Sequence, residues 1–284
     1  MFGFSQRGRY APQAAFDDLI QAASALPTAV AEITSSIPRY VPINIADRSV
    51  GLYAFGVICA ALYAREQTGK GQRVDVPMFE TMVPHIMGDH LFGQTFVPAK
   101  GDFGYPRLMS QERRPYQTKD GFVCCLIYHD HHWRAFLNAV ERIDLYDSDP
   151  RFENITTRTE NITELYGMVS DEMRKRTTAE WAELLREADV PVFPMHTFDT
   201  LMEDAHLRDI GFFGEAEHPV AGRIRTMAVP SEWSGTVPRH TGLAPELGEH
   251  SAEILAEAGY AADAIERMLA AGVTKEPARK AATK

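Results

Sequence analysis

The sequence predicts an α/β fold of two domains, on three observations. Segments with the three-to-four spacing of helices alternate with short runs that read as extended chain. A stretch rich in glycine, proline and charge, Gly101 to Arg114, interrupts them as a linker. The 284 residues, 45% of them hydrophobic, suffice for one large core or two smaller ones.

The elements follow in order. Met1 to Gly8 is an apolar start with a glycine turn, as of a strand entered in mid-course. Between Ala14 and Leu26, the residues Phe16, Leu19, Ile20 and Ala23 recur at helical spacing, and Pro27 is the expected stop. Pro38 to Ala46 reads as loop and short extended chain. From Ser49 to Leu62 nearly every residue is apolar, so the helix opened by Asp47 is expected to be buried, with Gly51, Ala54, Gly56 and Ala60 permitting close packing and Gly69 ending it. Arg73 to Val76 alternates as a strand, and Met78 to Phe92 continues as a helix despite Pro84. Beyond the linker, Pro115 to Tyr128 reads as strand, Lys119-Asp120-Gly121 turn, strand. Helices are predicted at His131 to Val140, Arg158 to Lys175 and Thr178 to Ala188, the last capped by Thr178. Val190 to Met195 is extended, Thr200 to Leu207 is a short helix, and Phe212 to Val229 holds two extended segments around Ala221-Gly222. Glu249 to Gly259 and Ala262 to Ala271 form two closing helices, and the Lys275 to Lys284 tail is expected to be disordered.

Charge narrows the function classes. With 29 Lys plus Arg against 39 Asp plus Glu, the net charge is −10, and basic residues cluster no further than pairs such as Arg113-Arg114. Neutralising a nucleic-acid backbone needs a broader basic surface, so no nucleic acid is expected, while a local basic pocket for one cofactor stays open. Cys59, Cys124 and Cys125 lack zinc or disulfide spacing and fit a reducing, cytoplasmic setting. Two Asn-x-Thr sequons, at Asn154 and Asn161, are read as chance. The longest apolar stretch, Val50 to Tyr63, falls short of the ~20 residues that cross a bilayer, so no membrane partner is expected.

Asp47 is the first candidate for chemistry. An Asp ahead of an apolar helix is foremost an N-cap, and bonds from backbone N–H groups would also keep its carboxylate ionised, so cap and nucleophile are compatible. The histidines His129, His131 and His132 straddle a strand-to-helix junction without a partnering carboxylate or cysteine set, and no metal is assigned to them. Neither Gly-x-Gly-x-x-Gly nor Gly-x-Ser-x-Gly occurs.

Val41 to Ala54, with Asp47 at its centre, and Arg65 to Val76, through Thr68-Gly69-Lys70-Gly71-Gln72, closely resemble the heart of class III CoA-transferases of the CaiB/BaiF type. Pro115 to Gly121, Asp149-Pro150-Arg151-Phe152, Val190 to Pro194 and Ala244 to His250 follow in the family's order. The resemblance implies a Rossmann-like large domain, N-terminally truncated here, plus a smaller α+β domain. Residues 1–100 would be the remainder of the CoA-binding domain, 101–210 the small domain, 211–274 a return to the large one, and 275–284 the tail. It implies that Asp47 attacks an acyl-CoA thioester, passes through an aspartyl anhydride and an aspartyl-CoA thioester, and delivers CoA to a small carboxylic acid. CoA is then a substrate, with no permanently bound cofactor, and two chains form an interlocked homodimer. Phe16 and Asp17 fall where the family contacts CoA, and Tyr128 and His129 near the acid. The α-methylacyl-CoA racemases of the same superfamily are the runner-up, although Asp17-Asp18 replaces their His-Asp pair and His129 or a neighbour their Glu. The glycine-run loop of formyl-CoA transferases is absent between Phe96 and Arg114. An inactive fragment with exposed apolar surface is the third expectation.

Overall fold

Residues 1–195 and 196–284 form two separate units in the computed structural model, which describes residues 1–238 and 242–277. The first unit begins with four helices, α1 (Asp17–Ala23), α2 (Leu26–Thr34), α3 (Ile45–Thr68) and α4 (Met78–His90), followed by the short α5 (Pro106–Met109). Strands β1 (Tyr116–Gln117) and β2 (Phe122–Cys125) come next, and then helices α6 (Asp130–Ala139), α7 (Asp144–Ser148), α8 (Ile155–Glu160), α9 (Ile162–Met173) and α10 (Thr178–Glu187). Strand β3 (Val192–Pro194) closes the unit, pairing antiparallel with the far edge of β2 to give the order β1-β2-β3.

The second unit holds α11 (Phe198–Met202), α12 (Ala205–Asp209), the hairpin β4 (Phe213–His218) and β5 (Gly222–Met227), and then α13 (Ser251–Glu257) and α14 (Ala262–Ala270). The hairpin is the one expected around Ala221-Gly222. Gly222 adopts φ +74°, and the His218 ring nitrogen Nδ1 accepts the backbone N–H groups of Val220 and Ala221 at 3.1 Å each, which fixes the turn. Residues 275–277 have no regular structure, and 278–284 of the expected tail lie outside the described residues.

Several local expectations change for identifiable reasons. Pro27 does not merely stop α1; it sits in the first turn of α2, where its missing N–H leaves no helical bond unmade. The stretch expected as one helix from Arg158 to Lys175 is two, because Asn154 caps α8 by accepting the N–H groups of Thr156 and Thr157, and the chain turns again at Asn161. The cap of α10 is Thr177, in a reciprocal box with Glu180, whereas Thr178 hydrogen-bonds Asp120 in the β1–β2 turn. Arg73 to Val76, expected as a strand, has no regular structure, and of its backbone groups only the Val76 carbonyl is paired with a described residue, accepting the Phe2 N–H at 3.1 Å. Parallel pairing, among the described residues, is confined to one isolated bridge between Phe2 and Pro77, and the strands pair antiparallel.

The largest correction concerns α3. It runs for 24 residues and ends as expected at Gly69, whose φ of +68° only glycine adopts freely. Only Ala46, Val50 and Ala54 are buried, along the stripe that packs on α1 and α4, while Leu52, Phe55 and Tyr63 are more than two-thirds exposed. A Cβ built on Gly51 or Gly56 meets nothing, so no element uses the close approach these glycines permit. By length and composition alone the helix could cross a membrane; in this fold it lies on its neighbours by one face.

Two hydrophobic clusters result. Phe4, Ile20, Ala46, Val50, Ala54, Val76 and Met82 fasten α1, α3 and α4 together. A larger cluster, centred on Trp133, Phe136, Phe152, Leu165 and Trp181, joins the three-stranded sheet to α6, α9 and α10. The buried Trp181 indole N–H is satisfied by the Met173 carbonyl at 2.7 Å.

Candidate active site

The amino end of α3 is built by α1. Helix α3 begins one residue after Asn44, whose side chain makes no capping bond, so Ile45, Ala46 and Asp47 are its first three residues and their N–H groups lack helical partners. Asp47 is therefore not the N-cap. The missing cap comes from thirty residues earlier: the buried Asp17 carboxylate accepts the Asp47 backbone N–H through Oδ2 at 3.0 Å. Its other oxygen, Oδ1, accepts from Gln21 Nε2 at 2.5 Å, one helical turn along α1. Gln21, fully buried, also takes the Val41 N–H on its Oε1 at 3.0 Å, so the chain entering α3 is held at both Val41 and Asp47. Gln21 was missed in the sequence, although its spacing of four from Asp17 on one helix was the available signal.

With its backbone held this way, the Asp47 side chain is exposed and makes no hydrogen bond or ion pair with any described residue. A negative charge in the first turn of a helix is stabilised by the macrodipole. Phe16, at the start of α1, is 72% exposed and leaves its ring open to solvent beside this junction. Phe16, Asp17 and Asp47 thus belong to one assembly. Tyr128 and His129 belong to another, at the start of α6, and no described contact joins the two.

That second group is a packed cluster of rings. Tyr128 meets His129 edge-on with centroids 5.0 Å apart, His129 stacks on His131 at 5.6 Å, and His131 lies 4.1 Å from His132. The Arg107 guanidinium stands over the Tyr128 ring at 4.9 Å. His132 Nδ1 accepts the backbone N–H groups of Tyr128 and His129 at 3.4 and 3.3 Å, which serves the start of α6 and requires that nitrogen to be unprotonated. Burial first, then the neighbouring His131 and His129, lowers the His132 pKa below the ordinary histidine value. Among the described residues no group of three or more His, Cys, Asp or Glu side chains is arranged to hold a metal ion.

The family model for CoA-transferase family III matches residues 1–251. The chain belongs to CoA-transferase family III. The resemblance read from Val41 to Val76 is thereby confirmed across most of its length. Human succinyl-CoA:glutarate CoA-transferase is 25% identical over 278 residues, covering 96% of this chain and 62% of that protein. Succinyl-CoA:mesaconate CoA-transferase of Haloarcula marismortui is 30% identical over 258 residues, covering 87% of this chain and 61% of that protein. The family III chain described here therefore spans less than two-thirds of the length of these relatives. Among solved structures, the Rv3272 protein of Mycobacterium tuberculosis superposes with a TM-score of 0.70 at 21% identity, over 88% of this chain and 66% of that one. A CaiB/BaiF family protein from Brucella suis gives 0.66 at 22%, over 90% and 66%. These likenesses establish the fold, the mixed α/β CaiB/BaiF architecture.

Proposed function

We propose that this family III chain carries the nucleophile of a CoA-transferase, Asp47, which moves CoA between an acyl-CoA thioester and a small carboxylic acid. The observation that carries the reading is the contrast within one residue. The Asp47 backbone is held by a buried carboxylate, while its own carboxylate is exposed and uncommitted at the amino end of a long helix. A residue kept for capping would spend its oxygens on the helix, and this one does not.

The steps balance without a redox partner. The Asp47 carboxylate adds to the thioester carbonyl, a C–O bond forms as the C–S bond breaks, and CoA leaves as the thiolate with the bonding pair. The thiolate then attacks the Asp47 carbonyl of the mixed anhydride, releasing the acyl group as its carboxylate and leaving an aspartyl-CoA thioester. An incoming carboxylate reverses both steps and restores Asp47. Phe16 and Asp17 stand on the CoA side in this reading, Tyr128 and His129 on the side of the acid. The relatives named for succinyl-CoA with glutarate or mesaconate support a short dicarboxylic acid as the substrate class. The reading includes a reducing, cytoplasmic setting, supported by cysteines that are all free, and a homodimer, for which the uncovered face of α3 offers surface.

The test is to incubate the chain with succinyl-CoA, quench with hydroxylamine and map the adduct by mass spectrometry. A hydroxamate on Asp47, absent from Asp47→Asn, is expected. Adduct formation that survives in Asp47→Asn, or an unmodified Asp47 in protein shown to bind the thioester, would sink the assignment.

A further inference from the structure

A cleft of about 270 Å³ opens beside the β1–β2 sheet, and no residue of α1 or α3 lines it. Three guanidinium groups line it, Arg107, Arg113 and Arg114, over a floor that includes Tyr116, Cys125 and Tyr166. Their partners are few. Arg114 pairs with Glu112 at 3.1 Å, Arg107 donates from Nε to the Tyr166 hydroxyl at 3.0 Å, and the exposed Arg113 side chain has no carboxylate partner among the described residues. Two cations in one concavity are thus uncompensated, in a chain whose net charge is −10. That is a local field of the kind that collects anions.

The floor supplies no hidden negative charge. Burial pushes the Cys125 thiol up to about 12 and the Tyr116 phenol higher still, so both are neutral at physiological pH. They present apolar and aromatic surface beneath the cationic rim. Guanidinium forks match the planar geometry of a carboxylate. Sites for drug-sized ligands run from roughly 300 to 1,000 Å³, so this cleft suits a small acid and is too small for a whole CoA.

We propose that this cleft binds a small organic carboxylate, held by Arg107 and Arg113, with its apolar body against Tyr116 and Tyr166. The site stands on the cleft alone and does not depend on the assignment of Asp47. The same cationic rim would also meet a phosphate, and the test separates the two.

The experiment is calorimetric titration of the full chain with benzoate and hexanoate, beside benzamide and inorganic phosphate. Saturable binding of at least one acid is expected, with no heat from benzamide and weaker binding of phosphate. Arg113→Ala should weaken the acid by about tenfold or more, the scale of losing a charged hydrogen-bond partner, with an unchanged unfolding midpoint because Arg113 is exposed. Arg113→Lys, which keeps the charge but not the fork, should fall between. Binding of neither acid, equal binding of benzamide, tighter binding of phosphate, or full affinity in Arg113→Ala each overturns the proposal. So does binding that is abolished by Asp47→Ala and untouched by Arg113→Ala, which would put the acid at the other site.

Discussion

Between residues 116 and 190, fifteen hydrophobic side chains are buried in one cluster, two of them tryptophans packed from several elements. Between residues 4 and 82 only seven are buried, and the longest helix of the protein turns Leu52, Phe55, Ile58 and Tyr63 to solvent. The difference teaches where each part draws its order. The larger cluster is held by apolar burial from all sides. The smaller holds α3 by one stripe of small residues and then by polar groups, Asp17 and Gln21, at its end. Stability and the candidate chemistry therefore reside in different parts of the same unit.

The comparison predicts effects in a definite order. Trp181→Ala, which empties a fully buried site and orphans the Met173 carbonyl, should lower the unfolding free energy by about 3–5 kcal/mol. Urea denaturation would measure it, and a loss below about 1 kcal/mol would mean that the large cluster is not what holds the unit. Asp17→Ala should cost about 1 kcal/mol through the lost cap on α3. Asp47→Ala, by contrast, should stay within about 0.5 kcal/mol; equal losses from the two would restore Asp47 to a structural role. A single exposed change, Phe55→Ser, should alter stability by no more than about 0.5 kcal/mol while reducing the fluorescence of a dye that binds apolar surface.

The smallest effect is one of pH. His132 is held neutral in the folded chain, with a pKa below the unfolded value of 6.5, so the unfolded state takes up a proton first as the solution is acidified. Its contribution is fully present above 6.5 and is lost as pH falls below that value toward the folded pKa. Unfolding free energy should therefore decline between about pH 7.5 and about pH 5.5, more steeply in the wild type than in His132→Gln. Equal slopes in the two would place the titration elsewhere.

Much of the fold was legible where the signal was local. The β1–β2 turn at Asp120-Gly121, the β4–β5 hairpin and the Gly69 stop all follow from residues adjacent in sequence. Expectations failed where the answer depended on distant chain. Nothing in residues 45–68 says that one face of α3 will lack a partner, because apolar composition reports what a helix can bury and not what is there to cover it. Likewise, the cap of α3 is invisible from residues 44–47, since it arrives from α1. The family motif located Asp47, and only the fold separated its backbone role from its side chain. The Arg113-Arg114 pair was visible as a short basic run, yet its meeting with Arg107 and Tyr166 needed the three-dimensional structure.

The clamp from α1 sets which changes in chain length the candidate site tolerates. Because Gln21 grips Val41 and Asp17 grips Asp47, the position of the carboxylate is referenced to α1 and not to the segment that leads up to it. An insertion between Thr34 and Tyr40 lengthens a loop already fastened at its base, for roughly 0.6 kcal/mol per doubling of its length, and the carboxylate keeps its place. One residue removed from within the first turn of α3 turns every later side chain by about 100° around the axis. Natural variants of this segment should therefore differ in length before Val41 and hold it constant from there to Asp47.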